Sequence, residues 1–376
     1  MSAATDMARE LIDRQLQHPV ISLYFDLDPE EFATAPARTS QTRSLLDQAR
    51  RLAEEHEPPD HAEKTALRED LERIEAYLES DELPVSEARS IALFCSGLDD
   101  LFEPVKLAFR VVSHVVIDAV PHIEPLVANR DATSTCVALV NSRVGRVLIG
   151  GAARLSERES VDDDVRGQRQ GGGWSQDSYE NDVDGHLRAV AHDVFRLWQR
   201  THFAGLAIGG PEDPRSRFAG MLHNDLRPLL LSERIDLDVG SATVPEIRDA
   251  LASLLAEHAS AGRAGALAEL ESRMAGHERV AAGVSETLIA LTERRVETLL
   301  LSRDYHAAGR RCPTCEMLLE DDTSRCPADG TTTEPVADLR EATVQAALAQ
   351  DAEVIALEEP ADELPPARPI AALLRY

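Results

Sequence analysis

The sequence predicts a mixed α/β protein of three domains, and three observations carry that expectation. Short apolar stretches with strand periodicity alternate with longer stretches of helical periodicity along the whole chain. At 376 residues the chain exceeds what one compact core organises. Its hydrophobic content of 43% is that of a folded protein while aromatics contribute only 4%, so the core has to be built from Leu, Val, Ile and Ala.

Residues 1–130 are expected to form an amino-terminal α/β domain. Met1–Gln17 carries Asp6, Glu10 and Asp13 on a polar helix face. Val20–Asp26 alternates as a strand does, with Pro19 before it and Asp28–Pro29 after it. Ser40–Glu55 and His61–Glu79 read as helices, the second placing Leu67, Leu71, Ile74 and Leu78 at three-to-four spacing. Ile91–Cys95 and Leu107–Val120 supply further strands, the second of them partly broken.

Residues 131–262 are expected to form a central α/β domain. Thr135–Val140 and Arg146–Ile149 flank Asn141–Gly145 as a hairpin does. An acidic stretch through Asp162, Asp163 and Asp164 reads as irregular. From Asp177 to about Thr201, Leu187, Val190, Ala191, Val194, Leu197 and Trp198 trace one helical stripe. Asp177, Glu180 and Asp182 lie in its first turns, where negative charge complements the helix dipole. Phe203–Ile208 reads as a strand, Phe218–Asp225 as helical, Arg234–Asp238 as a short strand and Pro245–His258 as a closing helix. This alternation implies a partly parallel sheet.

Residues 263–376 are expected to form a smaller carboxyl-terminal α/β domain. Its elements are helices at Arg263–Met274, Val284–Glu293 and Val336–Ala349, with strands at Val296–Ser302, Glu353–Leu357 and Ile370–Arg375. A cysteine-rich insertion at 312–330 interrupts it.

The formal charge of -28 argues against a general nucleic-acid binder with a uniformly basic face, while leaving room for a basic tip on an acidic body. Lys64 and Lys106 are the only lysines, so almost every cation is an arginine. Arginine suits bidentate phosphate contacts, and a GC-rich coding sequence would give the same bias. Without a secretory h-region or an apolar run able to span a bilayer, the expected location is the cytoplasm, with no membrane contact. Cys95 and Cys136 sit in apolar runs and read as small buried hydrophobes.

The other three cysteines form a pattern. Cys312-Pro313-Thr314-Cys315 is matched, ten residues on, by Cys326-Pro327-Ala328-Asp329. Each half reads ligand, Pro, any residue, ligand, and a structural Zn²⁺ site needs four such donors, among which carboxylate oxygen is allowed. The expected ligands are therefore Cys312, Cys315, Cys326 and Asp329, holding structural zinc as a ribbon-like clip. His306 is an alternative fourth ligand, and a relic in which Asp329 binds nothing is the alternative to the site itself.

The segment Arg166-Gly167-Gln168-Arg169-Gln170-Gly171-Gly172-Gly173-Trp174-Ser175-Gln176 is the other candidate. Consecutive glycines allow close backbone approach at an entropic cost, and no acidic residue interrupts the segment. A surface loop without chemistry is one reading. A phosphate cradle lacks the Lys-Ser/Thr pair that should follow the glycines and the strand that should precede them. In a loop that enters a nucleic-acid site, Arg166 and Arg169 would meet phosphates and Trp174 would stack on a base, with Gly171 and Gly172 in close approach. Trp174 would serve equally as a hydrophobic anchor for the base of the loop.

In order and spacing the chain resembles the archaeal and eukaryotic class-1 release factors and Pelota. Ile21-Ser22-Leu23-Tyr24 near the start, Gly172-Gly173-Trp174-Ser175-Gln176 in the middle and Ala371–Tyr376 at the end carry the resemblance. Within that superfamily it is most similar to the bacterial and archaeal release-factor-like branch, related to the hibernation factor Balon and to the peptidyl-tRNA hydrolases of ribosome quality control. The resemblance implies a three-domain release-factor/Pelota-like architecture and a ribosomal A-site binder that mimics tRNA, in rescue or hibernation. Its partners would be ribosomal RNA, peptidyl-tRNA and a translational GTPase such as elongation factor Tu. Class-1 release factors carry Gly-Gly-Gln at the tip. Here Trp174 and Ser175 separate Gly173 from Gln176, a Gly-x-x-Gln spacing that resembles the quality-control hydrolases. The alternative activity is thus peptidyl-tRNA hydrolysis, with Gln176 orienting water and Gly173 admitting the ester. Arg143, Arg146, Arg154, Arg294, Arg295, Arg310 and Arg311 are candidates for docking on RNA, each a solvated surface residue by default.

Overall fold

The computed structural model describes residues 3–14, 16–27, 35–55, 61–80, 83, 88–107, 109–128, 135–151, 155–162, 176–231, 235–276, 278–357, 364 and 368–376. Two compact units emerge, one built on Arg130–Ser260 and the other on Ala4–Asn129 together with Ala261–Tyr376.

The amino-terminal part of the larger unit runs α1 (Ala3–Asp13), β1 (Val20–Asp26), α2 (Ala35–Glu55), α3 (His61–Glu79), β2 (Ser90–Ser96), β3 (Leu101–Leu107), β4 (His114–Asp118) and a short α4 (Glu124–Ala128). Its sheet has the order β3-β2-β1-β4, and every pairing is antiparallel. β1 and β2 are buried along their full lengths, so both faces of the sheet are covered. On one face Ile21, Leu23 and Phe25 join Ile91, Leu93 and Cys95 against Leu45 and Leu46 of α2 and Leu67, Leu71 and Ile74 of α3. The three-to-four spacing in α3 is therefore the stripe it buries.

The central unit contains β5 (Thr135–Val140), β6 (Val144–Gly150), β7 (Leu155–Asp162), α5 (Gln176–Thr201), β8 (Gly205–Gly209), α6 (Glu212–Met221) and the start of α7 (Val244–Gly276). The sheet order is β7-β6-β5-β8, and only β5 and β8 are parallel. The hairpin turn is shorter than the sequence suggests. Asn141 Oδ1 accepts from the backbone N–H of Arg143 (2.8 Å) and Val144 (2.7 Å), closing the turn before β6 begins. Gly145 is consequently a strand residue, placed where α5 crosses. A Cβ there would lie 2.3 Å from Val190 Cγ2.

Gly145→Ala should therefore destabilise the chain by roughly 1–3 kcal/mol through overpacking. Gly185→Ala, within α5 and with no atom inside 4 Å of the added carbon, should stabilise it by up to about 1 kcal/mol. Urea midpoints that moved in the same direction for both variants would refute the packing account.

Several sequence expectations need correction here. The acidic stretch before the glycine loop is not irregular up to Asp162; it is β7, an edge strand on which Glu157 and Arg158 are exposed and Glu157 is held by Arg146 at 2.8 Å. Of the strand read at Arg234–Asp238, Arg234 lies outside the described residues and 235–238 form none: Ile235 makes only an isolated bridge to Gly209. The helix read at Phe218–Asp225 ends at Met221, and a 3-10 turn follows at Asn224–Leu229. The two helices read at 245–258 and 263–274 are one 33-residue helix, because the alanine-rich surroundings of Gly262 and Gly265 keep helix propensity high. Thr243 and Glu246 form a reciprocal cap at its start: the Thr243 N–H donates to Glu246 Oε2 (2.8 Å), and the Glu246 N–H to Thr243 Oγ1 (3.4 Å).

The carboxyl-terminal part of the larger unit adds β9 (Val280–Ala282), α8 (Val284–Thr292), β10 (Val296–Ser302), β11 (Gly309–Arg311), β12 (Leu318–Glu320), β13 (Glu334–Val336), α9 (Leu339–Leu348), β14 (Glu353–Leu357) and β15 (Ile370–Leu374). Its main sheet, β14-β10-β15-β9, is parallel only between β10 and β14. Leu270 of α7 joins Leu300, Ile355, Leu357, Ala371 and Leu373 in its core. A small sheet, β12-β11-β13, carries the cysteine segment. α9 begins three residues later than read, because the Asp338 side chain accepts from the Arg340 N–H (2.9 Å) and caps it.

α9 also fastens the carboxyl-terminal part to the amino-terminal one. The buried Glu341 accepts from the N–H of Ile123 (2.9 Å) and of Glu124 (3.0 Å), while His122 Nδ1 lies 2.9 Å from it. Gln345 donates to Glu341 (2.9 Å) and to the Pro121 carbonyl (2.8 Å), and Arg340 Nε donates to Glu124 (2.6 Å). Among the described residues no helix is long and apolar enough to cross a membrane.

Candidate functional site

Both ends of the glycine-rich segment belong to regular elements. β7 brings the chain to Asp162, and Gln176 is the first residue of α5. Arg166, Arg169, Gly171, Gly172, Gly173 and Trp174, together with Arg154, lie outside the described residues. The helix that Gln176 heads is firmly seated. Val183, Leu187, Val190, Ala191, Val194 and Leu197 bury against Cys136, Ala138, Val140, Val147 and Ile149 of β5 and β6. Trp198 is half-buried and stacks on Phe195, with ring centroids 5.9 Å apart. Arg217 of α6 clamps the early turns of α5. Its Nε donates to Asp184 Oδ1 at 3.0 Å and its Nη2 to the Glu180 carbonyl at 3.1 Å. Sequence reading misses this clamp, since Asp184 and Arg217 are only two of many charges until the fold brings them together.

The arginines singled out for docking divide. Arg146 is turned inward: it makes a paired contact with Glu157 (2.8 Å to each oxygen) and donates to the Val239 and Ala242 carbonyls. Its hydrogen bond to Glu157 raises its pKa and lowers that of Glu157. Arg310 is used on Thr333, and Arg294 reaches the Ala349 carbonyl at 2.8 Å. Arg295 pairs with Glu293. Arg143 is exposed on the β5–β6 turn.

The second candidate is fully described. Cys312, Cys315, Cys326 and Asp329 each bring one ligand atom into a group whose members lie within 4.8 Å of one another. The Cys315 and Cys326 sulfurs are 3.5 Å apart, and Cys312 Sγ lies 3.5 and 3.7 Å from the two Asp329 oxygens. Two matching turns create this convergence. The Glu316 N–H returns to the Cys312 carbonyl (2.9 Å) and the Gly330 N–H to the Cys326 carbonyl (2.9 Å). Glu316 (φ 59°) and Gly330 (φ 75°) both adopt the left-handed conformation that closes such a turn. Backbone and side-chain hydrogen bonds from Thr331 hold the Asp329 carboxyl down at about 2, so it is ionised and acceptor-only.

The surroundings explain why these donors are needed. From Gly309 to Val336 the buried residues are Gly309, Cys312, Leu318, Cys326 and Thr333, of which only Leu318 is a large aliphatic. So small an apolar core leaves the three short strands to their mutual pairing and to the packing of β12 on α8 and α9. Three sulfurs and a carboxylate suit a closed, four-coordinate divalent ion, and the cluster can bind a metal as a staple. His306 is not one of the converging donors. Cys95 and Cys136 are not members of the cluster: burial pushes both thiols up, and Cys95 donates to Asp70 at 3.3 Å.

Residues 121–262 match the family model described as bacterial archaeo-eukaryotic release factor family 10. No curated protein matches the chain in sequence. Among solved structures, an archaeal translation termination factor is similar at 18% identity over 100% of this chain and 99% of its own, with a TM-score of 0.27. Pelota from Archaeoglobus fulgidus is similar at 16% identity over 76% and 79%, TM-score 0.31. Dom34 from S. cerevisiae, a translation termination-like factor that interacts with Hbs1, is similar at 9% identity over 74% of each chain, TM-score 0.43. The match is confined to the central segment, and residues 121–262 are what resembles the bacterial archaeo-eukaryotic release factors.

Proposed function

We propose that this protein is a ribosome-associated translation factor that occupies the A site as a tRNA mimic, in rescue or hibernation. The observation that carries the reading is the family match, because residues 121–262 contain both the glycine-rich segment and the helix it enters. Charge supports it. In a chain of net charge -28, the stretch from Arg166 to Gln176 has two arginines and no acid, so it is suited to approach folded RNA. Arg166 and Arg169 would meet phosphates, Trp174 would stack, and Gly171 and Gly172 would permit the approach.

The second reading is peptidyl-tRNA hydrolysis, favoured by the position of Gln176 at the head of α5. A glutamine amide donates and accepts but carries no titrating proton, so its task would be to orient the attacking water. A helix amino terminus adds positive potential where the tetrahedral intermediate gathers negative charge. Gly173 leaves room for the ester, and the ribosome supplies the remainder of the site.

The chain lacking residues 166–174 should associate with ribosomes at least tenfold more weakly in cosedimentation from starved cells; equal association would sink the proposal. On stalled complexes bearing labelled peptide, an A-site occupant releases nothing, with or without Gln176. If the wild type does release, Gln176→Ala should slow it by about 10²–10³, the usual loss for removal of one transition-state partner. Release by both at one rate would remove Gln176 from any catalytic role.

The resident ion of the cysteine cluster is proposed to be structural Zn²⁺. Elemental analysis below about half an equivalent would count against it. A translational GTPase such as elongation factor Tu is the proposed delivery partner in the cytoplasm. Divisions at 1–130, 131–262 and 263–376 are the proposed functional modules.

A further inference from the structure

We propose that the cysteine cluster is also an oxidation site, in which Cys315 and Cys326 join as a disulfide and release the bound ion. The ion-release half rests on the metal reading above; the choice of cysteines does not. Access distinguishes the thiols first. Of the chain's five cysteines, Cys315 alone is exposed, while Cys95, Cys136, Cys312 and Cys326 are buried. Contact then selects the partner. The Cys326 sulfur touches that of Cys315 at 3.5 Å, while the Cys312 sulfur, also within 4.8 Å, lies against the Asp329 carboxylate.

The number of donors left then determines the fate of the ion. Once two sulfurs are joined, Cys312 and Asp329 remain, and one thiolate with one carboxylate does not make a closed four-coordinate site. Leu318 is the only large aliphatic buried between Gly309 and Val336, so once the ion leaves the three short strands keep only their mutual pairing and the packing of β12 on α8 and α9.

The oxidant is a hydroperoxide, and the chemistry balances in two steps. The Cys315 thiolate attacks a peroxide oxygen: an S–O bond forms, the O–O bond breaks, and the departing hydroxide takes up a proton as water. The Cys326 thiolate then attacks the sulfenic sulfur: the S–S bond forms, the S–O bond breaks, and a second hydroxide leaves as water. Two thiols are oxidised by two electrons, and one hydrogen peroxide is reduced to two waters.

The test uses the full chain, with its metal content measured before hydrogen peroxide is added. Released ion is followed with a colorimetric chelator, and disulfides are mapped by mass spectrometry without reduction. The expected result is one disulfide, Cys315–Cys326, with one ion freed per bond and reversal by dithiothreitol plus zinc. In Cys315→Ser the release should be at least tenfold slower. A dominant Cys312–Cys315 or Cys312–Cys326 bond would overturn the proposal, as would release from Cys315→Ser at the wild-type rate. If Cys315→Ser retains no metal, the disulfide map of the wild type decides alone. A wild type that holds no ion before oxidation defeats the metal reading, while its disulfide map still tests the cysteine pair.

Discussion

Glu341→Ala should lower the unfolding free energy of this protein by about 3–5 kcal/mol, the usual consequence of removing one partner from a buried charged pair. Glu341 is 5% exposed and accepts from two backbone N–H groups, from Gln345 and from His122. Its loss leaves the buried Ile123 N–H and the part-buried Glu124 N–H without an acceptor, and each such orphan is costly. It also leaves Glu124 and Arg340 in a site whose charge balance has changed. The two segments involved are 218 residues apart, so the loss should also loosen the junction between the amino-terminal and carboxyl-terminal parts of the larger unit. Hydrogen exchange at residues 121–124 and 339–348, alongside a denaturant midpoint, measures both effects. A midpoint within about 1 kcal/mol of the wild type would refute the role assigned to Glu341.

The same pair makes a pH prediction with a definite sign. Burial depresses the His122 pKa, but the hydrogen bond and charge of Glu341 outweigh it and raise the pKa above the usual value. A raised histidine stabilises fully below its unfolded pKa, near 6.5, and that contribution is lost as pH rises through the folded value. Burial pushes Glu341 up, but His122 and the N–H groups of Ile123 and Glu124 outweigh it and hold the carboxyl low. A lowered carboxyl stabilises above its unfolded pKa, and the contribution is lost as pH falls through the folded one. The pair therefore contributes most between the ordinary carboxylate and ordinary histidine ranges. The stability gap between wild type and Glu341→Ala should be larger near pH 5.5 than near pH 8.5, and a gap independent of pH would contradict the ion pair.

Cys326→Ser is expected to have the other large effect. Loss of one of three thiolates should weaken metal binding by three orders of magnitude or more, given that structural zinc contributes roughly 10–16 kcal/mol in small metal-dependent domains. With almost no core of its own, the segment from Gly309 to Val336 should then lose hydrogen-exchange protection while β10, β14 and β15 retain theirs. A strong chelator acting on the wild type should reproduce the pattern. Unchanged protection across β11, β12 and β13 in both experiments would show that the strands do not depend on the ion.

Much of the fold is local and therefore legible. β10 (Val296–Ser302), β14 (Glu353–Leu357) and α3 (His61–Glu79) have the limits their periodicity suggests, because each buries a stripe written in consecutive residues. The turns that present Cys312, Cys315, Cys326 and Asp329 are local too, each closed within four residues of its first cysteine. Expectation and structure part where neighbours far along the chain decide. β7 is a strand because β6 offers it hydrogen-bonding partners, and its acidic composition alone does not say so. Gly145 looks like a turn glycine, yet it is the contact point for Val190 of α5.

By itself, then, the amino-acid sequence determined the alternation of strand and helix, the paired cysteine turns and an acid-free glycine segment ending in Gln176, since all three depend on spacing along one chain. Only the tertiary structure decided that Arg146 is held by Glu157, that Arg217 secures the helix headed by Gln176, and that Glu341 joins His122 across the unit. The physical reason is burial. A charged side chain on a solvated surface carries no information about its partner, and it acquires one only when folding removes the water that would otherwise satisfy it.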